Sequence, residues 1–209
     1  MTPIRIASAK GYLLNEAVGV LAQVGITFDH DVTQTRQLII PDESGRFELM
    51  IVRPWDVPVF VANGAADLGI VGDDVLQEQQ PAVATLLELG FGDCRLVLAG
   101  PEPVAECDVA HYSVVATKYP AQTARYFQKI GRKVNITKLY GSIEIAPLTG
   151  LSDYIVDLTA TGQTLKENQL HIIATLLSSR ARLIANPIQL RFHYDSITRL
   201  VSAISKTLS

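Results

Sequence analysis

The chain has 209 residues, enough to bury a sizeable core as one large or two small domains without disulfide staples. Hydrophobic residues make up 48% and charged residues 19%, which excludes a disordered chain; the net charge of -3, with Lys and Arg dispersed, argues against a nucleic-acid surface. No run of about 18 apolar residues and no basic, apolar leader is found, and Cys94 and Cys107 lack metal-ligand spacing, so a cytoplasmic protein with reduced thiols and no membrane contact is expected.

Ile4 to Ser8 reads as a first strand, and Leu14, Val18, Leu21 and Val24 then recur at helical spacing up to a stop at Gly25. Arg36 to Ile40 and Phe47 to Val52 are short strand-like runs joined by the turn residues Pro41 to Gly45. A short helix follows Pro54. Asp67 to Val71 is a buried strand entering Gly72, with Asp73 or Asp74 expected to cap a helix containing Val75 and Leu76. A second αβ series begins at Cys94 to Ala99, continues through a strand at Val114 to Ala116 and a helix opened by Pro120, and adds strands at Val134 to Leu139 and Ser152 to Val156. Leu183 to Ala185 is another apolar run, and Ile197, Leu200, Val201 and Ile204 make a closing amphipathic helix. The organisation implied is α/β, with two lobes around a cleft: 1–90 with 178–209 as the first, and 91–177 as the second.

The segment after Tyr154-Ile155-Val156 carries the strongest chemical signal. Asp157-Leu158-Thr159-Ala160-Thr161-Gly162-Gln163-Thr164-Leu165 reads as a strand emptying into a helix, and such a turn presents backbone N–H groups and the positive end of a helix dipole to a phosphate. Thr159, Thr161 and Thr164 can add hydroxyl donors, and no acid lies between 158 and 165 to repel an anion. Asp157, set back on the strand, suits ribose hydroxyls or a hydrated metal ion.

Four further segments stand in order around it: Ala9-Lys10-Gly11, Val52-Arg53-Pro54-Trp55-Asp56-Val57-Pro58, Gly64 to Gly72, and Ala116-Thr117-Lys118-Tyr119-Pro120. Together with Leu139 to Pro147 and the Thr-Gly turn, they make the chain resemble the catalytic chain of the ATP phosphoribosyltransferase family, in its short form, over about residues 5–190. The resemblance implies a periplasmic-binding-protein-like architecture, that of a type IV phosphoribosyltransferase. It also implies the first step of histidine biosynthesis: N1 of ATP attacks C1 of the ribose of phosphoribosyl pyrophosphate and displaces pyrophosphate.

By the same resemblance, Thr159, Thr161, Gly162, Gln163 and Thr164 hold the 5′-phosphate, and Glu144 and Asp157 hold ribose hydroxyls. Lys10 and Arg36 face the departing pyrophosphate, while Arg53, Asp67 and Gly72 lie on the nucleotide side. Mg²⁺ is implied as a cofactor that arrives with ATP and phosphoribosyl pyrophosphate, without direct protein ligation. The implied partners are a second copy in a homodimer and a separate histidyl-tRNA-synthetase-like regulatory subunit, the 22 residues after Pro187 being too few for an effector domain. Tyr12 stands where the family often has Arg after the Lys-Gly pair, which shifts the cationic burden to Lys10, Arg36 or the metal. A solute-binding module would share the two-lobed plan but not the Thr-Gly turn, and a type I phosphoribosyltransferase usually carries two adjacent acids where only Asp157 stands here.

Overall fold

In the computed structural model, which describes residues 2–208, the chain divides into two α/β units. The chain order opens with β1 (Ile4–Ala9), α1 (Tyr12–Gln23), β2 (Ile39–Pro41), β3 (Phe47–Val52), α2 (Val57–Ala62), β4 (Leu68–Gly72), α3 (Asp73–Gln79) and β5 (Ala84–Glu88). It continues with β6 (Cys94–Gly100), β7 (Val114–Thr117), α4 (Pro120–Lys129), β8 (Asn135–Lys138), α5 (Ile145–Leu148), β9 (Tyr154–Thr159), α6 (Gln163–Glu167) and β10 (His171–Ser179). It closes with β11 (Ala181–Ala185), α7 (Pro187–Phe192) and α8 (Tyr194–Thr207).

Unit 1 takes the chain up to Leu76, then Gln80–Gly92, and everything from Arg180 onward. Its sheet runs β2-β3-β1-β4-β11-β5, with β1 parallel to both β3 and β4 and β11 antiparallel to β4. Strand alternation explains why β1 and β4 are apolar almost throughout. Ile4 and Ile6 enter a core with Leu14 and Leu21 of α1 and Ile197, Leu200 and Ile204 of α8, whereas Ala7 and Ala9 point to the opposite core with Val57, Val61 and Val75. The return into α7 is set by Asn186, whose side chain accepts the N–H groups of Ile188 and Gln189 and donates to the carbonyls of Val61 and Ala62. Pro187 at the first helical position costs nothing there, because its missing N–H would have had no intrahelical partner.

Unit 2 comprises Gln77–Gln79 and Asp93–Ser179, with the sheet order β10-β6-β9-β7-β8. β7 is parallel to β8 and β9, and β6 is antiparallel to β9 and β10. Its core gathers Val97, Ala99, Ala116, Ile143, Ala146, Ile155, Leu165 and Leu170, so α5 and α6 cover the sheet face that also carries Asp157 and Thr159.

Three expectations are corrected. The strand-like run at 36–40 is reduced to Ile39–Pro41, since only Ile39 to Pro41 pair with β3. The strand ending at Val156 runs on to Thr159, because its antiparallel pairing with β6 continues through Arg95 opposite Thr159. Neither Asp73 nor Asp74 caps α3: Gly72 is the capping residue, without a side-chain bond.

Gly69, in the middle of β4, is where α2 approaches the sheet. A Cβ there would lie 2.8 Å from Val61 Cγ2, 2.9 Å from Val57 Cγ1 and 3.0 Å from Ile184 Cγ1, contacts that stiff β-branched side chains cannot relieve. Gly69→Ala is therefore expected to lower stability by about 1–3 kcal/mol in urea denaturation. An unchanged midpoint would contradict this packing.

Candidate active site

Three helices of unit 2 follow strands, and their starts differ in charge. The start of α4 is filled: the Glu78 carboxylate accepts the N–H of Ala121 and that of Gln122, both at 2.8 Å. The start of α5 carries Glu144 as its capping residue. None of the three has an acid within its first turn, but α6 is capped by Gly162 rather than by an acid, and threonine hydroxyls rather than a carboxylate accept the N–H groups at its start. A helix start attracts anions through its unpaired N–H groups, so of the three this is the one whose own start holds no carboxylate, Glu167 standing one turn further on with Lys166 beside it.

The turn into α6 is built by its own hydroxyls. Thr159 Oγ1 accepts the Gly162 N–H at 2.8 Å, and Thr161 Oγ1 accepts the Gln163 N–H at 3.3 Å. Each hydroxyl keeps its own hydrogen, which an anion can accept. Gly162 holds φ +80°, a conformation that L side chains avoid. Thr161 and Thr164 are exposed, and the Gln163 side chain is drawn to Glu167 at 2.8 Å, leaving its backbone rather than its amide at the turn.

Asp157 sits two residues before Thr159 on the same face of β9, half-buried, with Oδ1 accepting the Leu158 N–H at 2.8 Å. Burial raises its pKa from the usual 3.8 to about 6; the Leu158 bond opposes the shift, the Glu144 carboxylate adds to it and the Lys118 cation opposes it. Lys118 is a residue that the sequence pattern named in a motif without giving it work. It follows β7, in a turn fixed where Thr117 Oγ1 donates to Val156 O at 2.6 Å and accepts the Tyr119 N–H at 2.9 Å. Arg95 had no role at all in the sequence reading, yet it pairs directly across from Thr159 and so stands beside the turn into α6. Its only sequence signal is an antiparallel register that no single chain reveals.

In unit 1 the predicted cations gather at one end of the sheet. Ala9 pairs with Val52, and the Lys10 N–H reaches Val52 O at 2.9 Å, so Lys10 and Arg53 follow adjacent strand ends and both are exposed. The β1–β4 register brings Gly72 to the same end. The Ile51 N–H donates to Leu38 O at 2.8 Å, which leads the chain back from β2 towards exposed Arg36 at the Arg53 end of β3. Asp67 does not join them. It lies at the other end of β4, about 16 Å from Gly72 at ~3.3 Å per strand residue, and its buried carboxylate accepts the Arg5 N–H at 2.7 Å. That bond ties β1 to β4 and makes Asp67 a structural acid.

Among the described residues no group of three His, Cys, Asp or Glu is placed to hold a metal ion, and no helix is long and apolar enough to cross a membrane.

Paired α/β units of this kind define a fold class that includes solute-binding proteins: the alkanesulfonate-binding protein SsuA of Xanthomonas axonopodis pv. citri superposes with a TM-score of 0.64 over 99% of this chain and 73% of its own, at 12% identity. At that identity the likeness is one of fold alone. The ATP phosphoribosyl transferase (HisG:HisZ) complex from Thermotoga maritima is nearer, with a TM-score of 0.83, 31% identity and 98% of both chains covered. The ATP phosphoribosyltransferases of Rubrobacter xylanophilus and Geobacter metallireducens are each 44% identical, covering 99% and 97% of this chain and 97% of their own lengths. The family model of HisG, ATP phosphoribosyltransferase, matches residues 53–206. The chain belongs to the ATP phosphoribosyltransferase family, enzymes that transfer a phosphoribosyl group in the first step of histidine biosynthesis. Membership is consistent with the use of a metal ion.

The raised pKa of Asp157 makes it a destabilising anion. The stability contributed at this carboxyl is fully present below the unfolded value near 4, where it is protonated in both states, and is lost as the pH rises through about 6. Asp157→Asn should therefore stabilise the protein by about 1–3 kcal/mol at pH 7.5 and make little difference at pH 4, while weakening phosphoribosyl pyrophosphate binding. Urea denaturation at the two pH values checks this; a loss of stability at pH 7.5 would contradict it.

Proposed function

We propose that unit 2 binds the 5′-phosphate of phosphoribosyl pyrophosphate at the Thr159–Thr164 turn, and that unit 1 supplies the cations for the pyrophosphate and the nucleotide. The acid-free start of α6, closed by Gly162 at φ +80° beside two hydroxyls, carries this reading. In the reaction the adenine N1 lone pair forms the bond to C1 of the ribose as the C1–O bond breaks, and its electron pair leaves with pyrophosphate, inverting C1. The ring becomes oxocarbenium-like, so the work lies in holding the sugar and receiving negative charge rather than in taking a proton from N1.

Asp157 and Glu144 would hold the ribose hydroxyls, directly or through water on a metal ion. Lys10 and Arg36 would take up charge on the departing pyrophosphate, and Arg53 with Gly72 would face the nucleotide. Mg²⁺ would arrive with the polyphosphates and neutralise them; the carboxylates of Asp157 and Glu144 are oxygen donors of the kind such an ion prefers. Asp67 is left out of the nucleotide side, because its carboxylate is engaged by Arg5. Two cysteines that form no disulfide among the described residues accord with a cytoplasmic enzyme. We further propose a homodimer that assembles with a separate regulatory chain, on the precedent of the complex from Thermotoga maritima.

Release of pyrophosphate from phosphoribosyl pyrophosphate, strictly dependent on ATP, tests the activity; release without ATP, or none with it, overturns the reading. Replacing Thr161 and Thr164 together by Val removes two charge-assisted hydrogen bonds of about 1.5–3 kcal/mol each, so affinity for phosphoribosyl pyrophosphate should fall by about 10² or more in calorimetry. Unchanged binding would detach the turn from the phosphate. Arg36→Ala should lower kcat by about 10-fold or more with ATP affinity within about twofold, as expected for a group acting on charge that develops in the transition state. A change confined to the Michaelis constant for ATP would move Arg36 to the nucleotide side.

A further inference from the structure

The opposite end of unit 1 carries a second concave surface, which the reaction does not use. An open pocket lies where the starts of β1 and β3 meet the α7–α8 corner, and three arginines, Arg46, Arg191 and Arg199, line it with Asp195 as the single carboxylate and no lysine. Beside them Phe192 is 76% exposed and Tyr194 61% exposed. Exposed aromatic rings and arginines without lysine are the composition of a protein contact rather than of an ordinary solvated surface.

Two of the arginines are already held in place. Arg46 Nε donates to Ser44 Oγ at 3.1 Å with its guanidinium 5.9 Å from the centre of the Phe47 ring, and Arg199 Nε donates to Asp195 O at 3.0 Å. Both bonds use Nε. The terminal amino groups are thus left for carboxylates, with part of the ordering entropy already lost.

Charge decides the occupant. A two-fold contact between copies would set this patch against itself, three arginines facing three with one Asp on each side, which is repulsive. A partner presenting carboxylates around an apolar anchor is complementary. We propose that this α7–α8 face docks an acidic segment of the separate regulatory chain. The assignment rests on the partnership proposed above. Because β1 starts in this pocket at Ile4 and ends at Ala9 before Lys10, docking here leaves the substrate end of unit 1 uncovered.

The test is to mix the full catalytic chain with the histidyl-tRNA-synthetase-like chain of the same organism and follow the complex by sedimentation and calorimetry. The wild type should bind, more weakly as salt is raised. Arg191→Glu with Arg199→Glu should weaken binding by about 30-fold or more, and Phe192→Ala by about 10-fold, while thermal unfolding and the isolated chain's pyrophosphate release stay unchanged. Wild-type binding that all these variants retain would overturn the docking face and leave the partnership standing. Absence of any wild-type complex would overturn both. Variants that change self-association of the catalytic chain, and not its binding to the regulatory chain, would assign the face to a second copy and overturn the proposal.

Discussion

One hydrogen bond organises the chemically important end of unit 2: Thr159 Oγ1 accepting the Gly162 N–H. It folds the tip of β9 back on itself and starts α6 without spending an acidic capping residue, as many helices would. The bond works only because its two ends are fixed independently. Thr159 is held in register by β6, and Gly162 is held by a backbone geometry that a side chain would strain. Leu165 then plugs α6 into the core under β9, so the turn is anchored on both sides by packing rather than by the ligand.

The same strand carries a cost. Asp157 is kept half-buried near Glu144, where water cannot fully solvate its charge, and burial raises the pKa of its carboxyl. Lys118 relieves only part of this. Such a group persists where a ligand with hydroxyls, or a cation, completes its environment, and its strain is of the kind that active sites tolerate.

Local signals served well where local physics decides the outcome. The strand at Ile4, the Pro120 helix start and the Gly25 stop are each set by residues a few positions apart. β5 and β10 went unseen because their partners lie far along the chain: Ala84–Glu88 pairs with Ala181–Ala185, and His171–Ser179 pairs with β6 through two register shifts that break the alternation. The engagement of Asp67 by the Arg5 N–H was not legible for a related reason. A carboxylate at a strand start gives no sign of which neighbour it meets, and only the parallel pairing of β1 with β4 places it beside Arg5, at the other end from Lys10. Lys118 and Arg95 were overlooked because a basic residue at a strand end looks the same whether it meets water or a substrate.

With Glu78 seated on the start of α4, a two-headed polyanion has a built-in sense of direction in unit 2. Phosphoribosyl pyrophosphate carries phosphate at both ends, and a site with several equally welcoming helix starts could bind it backwards. If unit 2 takes phosphoribosyl pyrophosphate as proposed, the occupied start of α4 and the acid-capped start of α5 would disfavour the reversed pose before any catalytic group acts. Polarity of entry, rather than tightness of grip, would then be what the occupied helix start contributes.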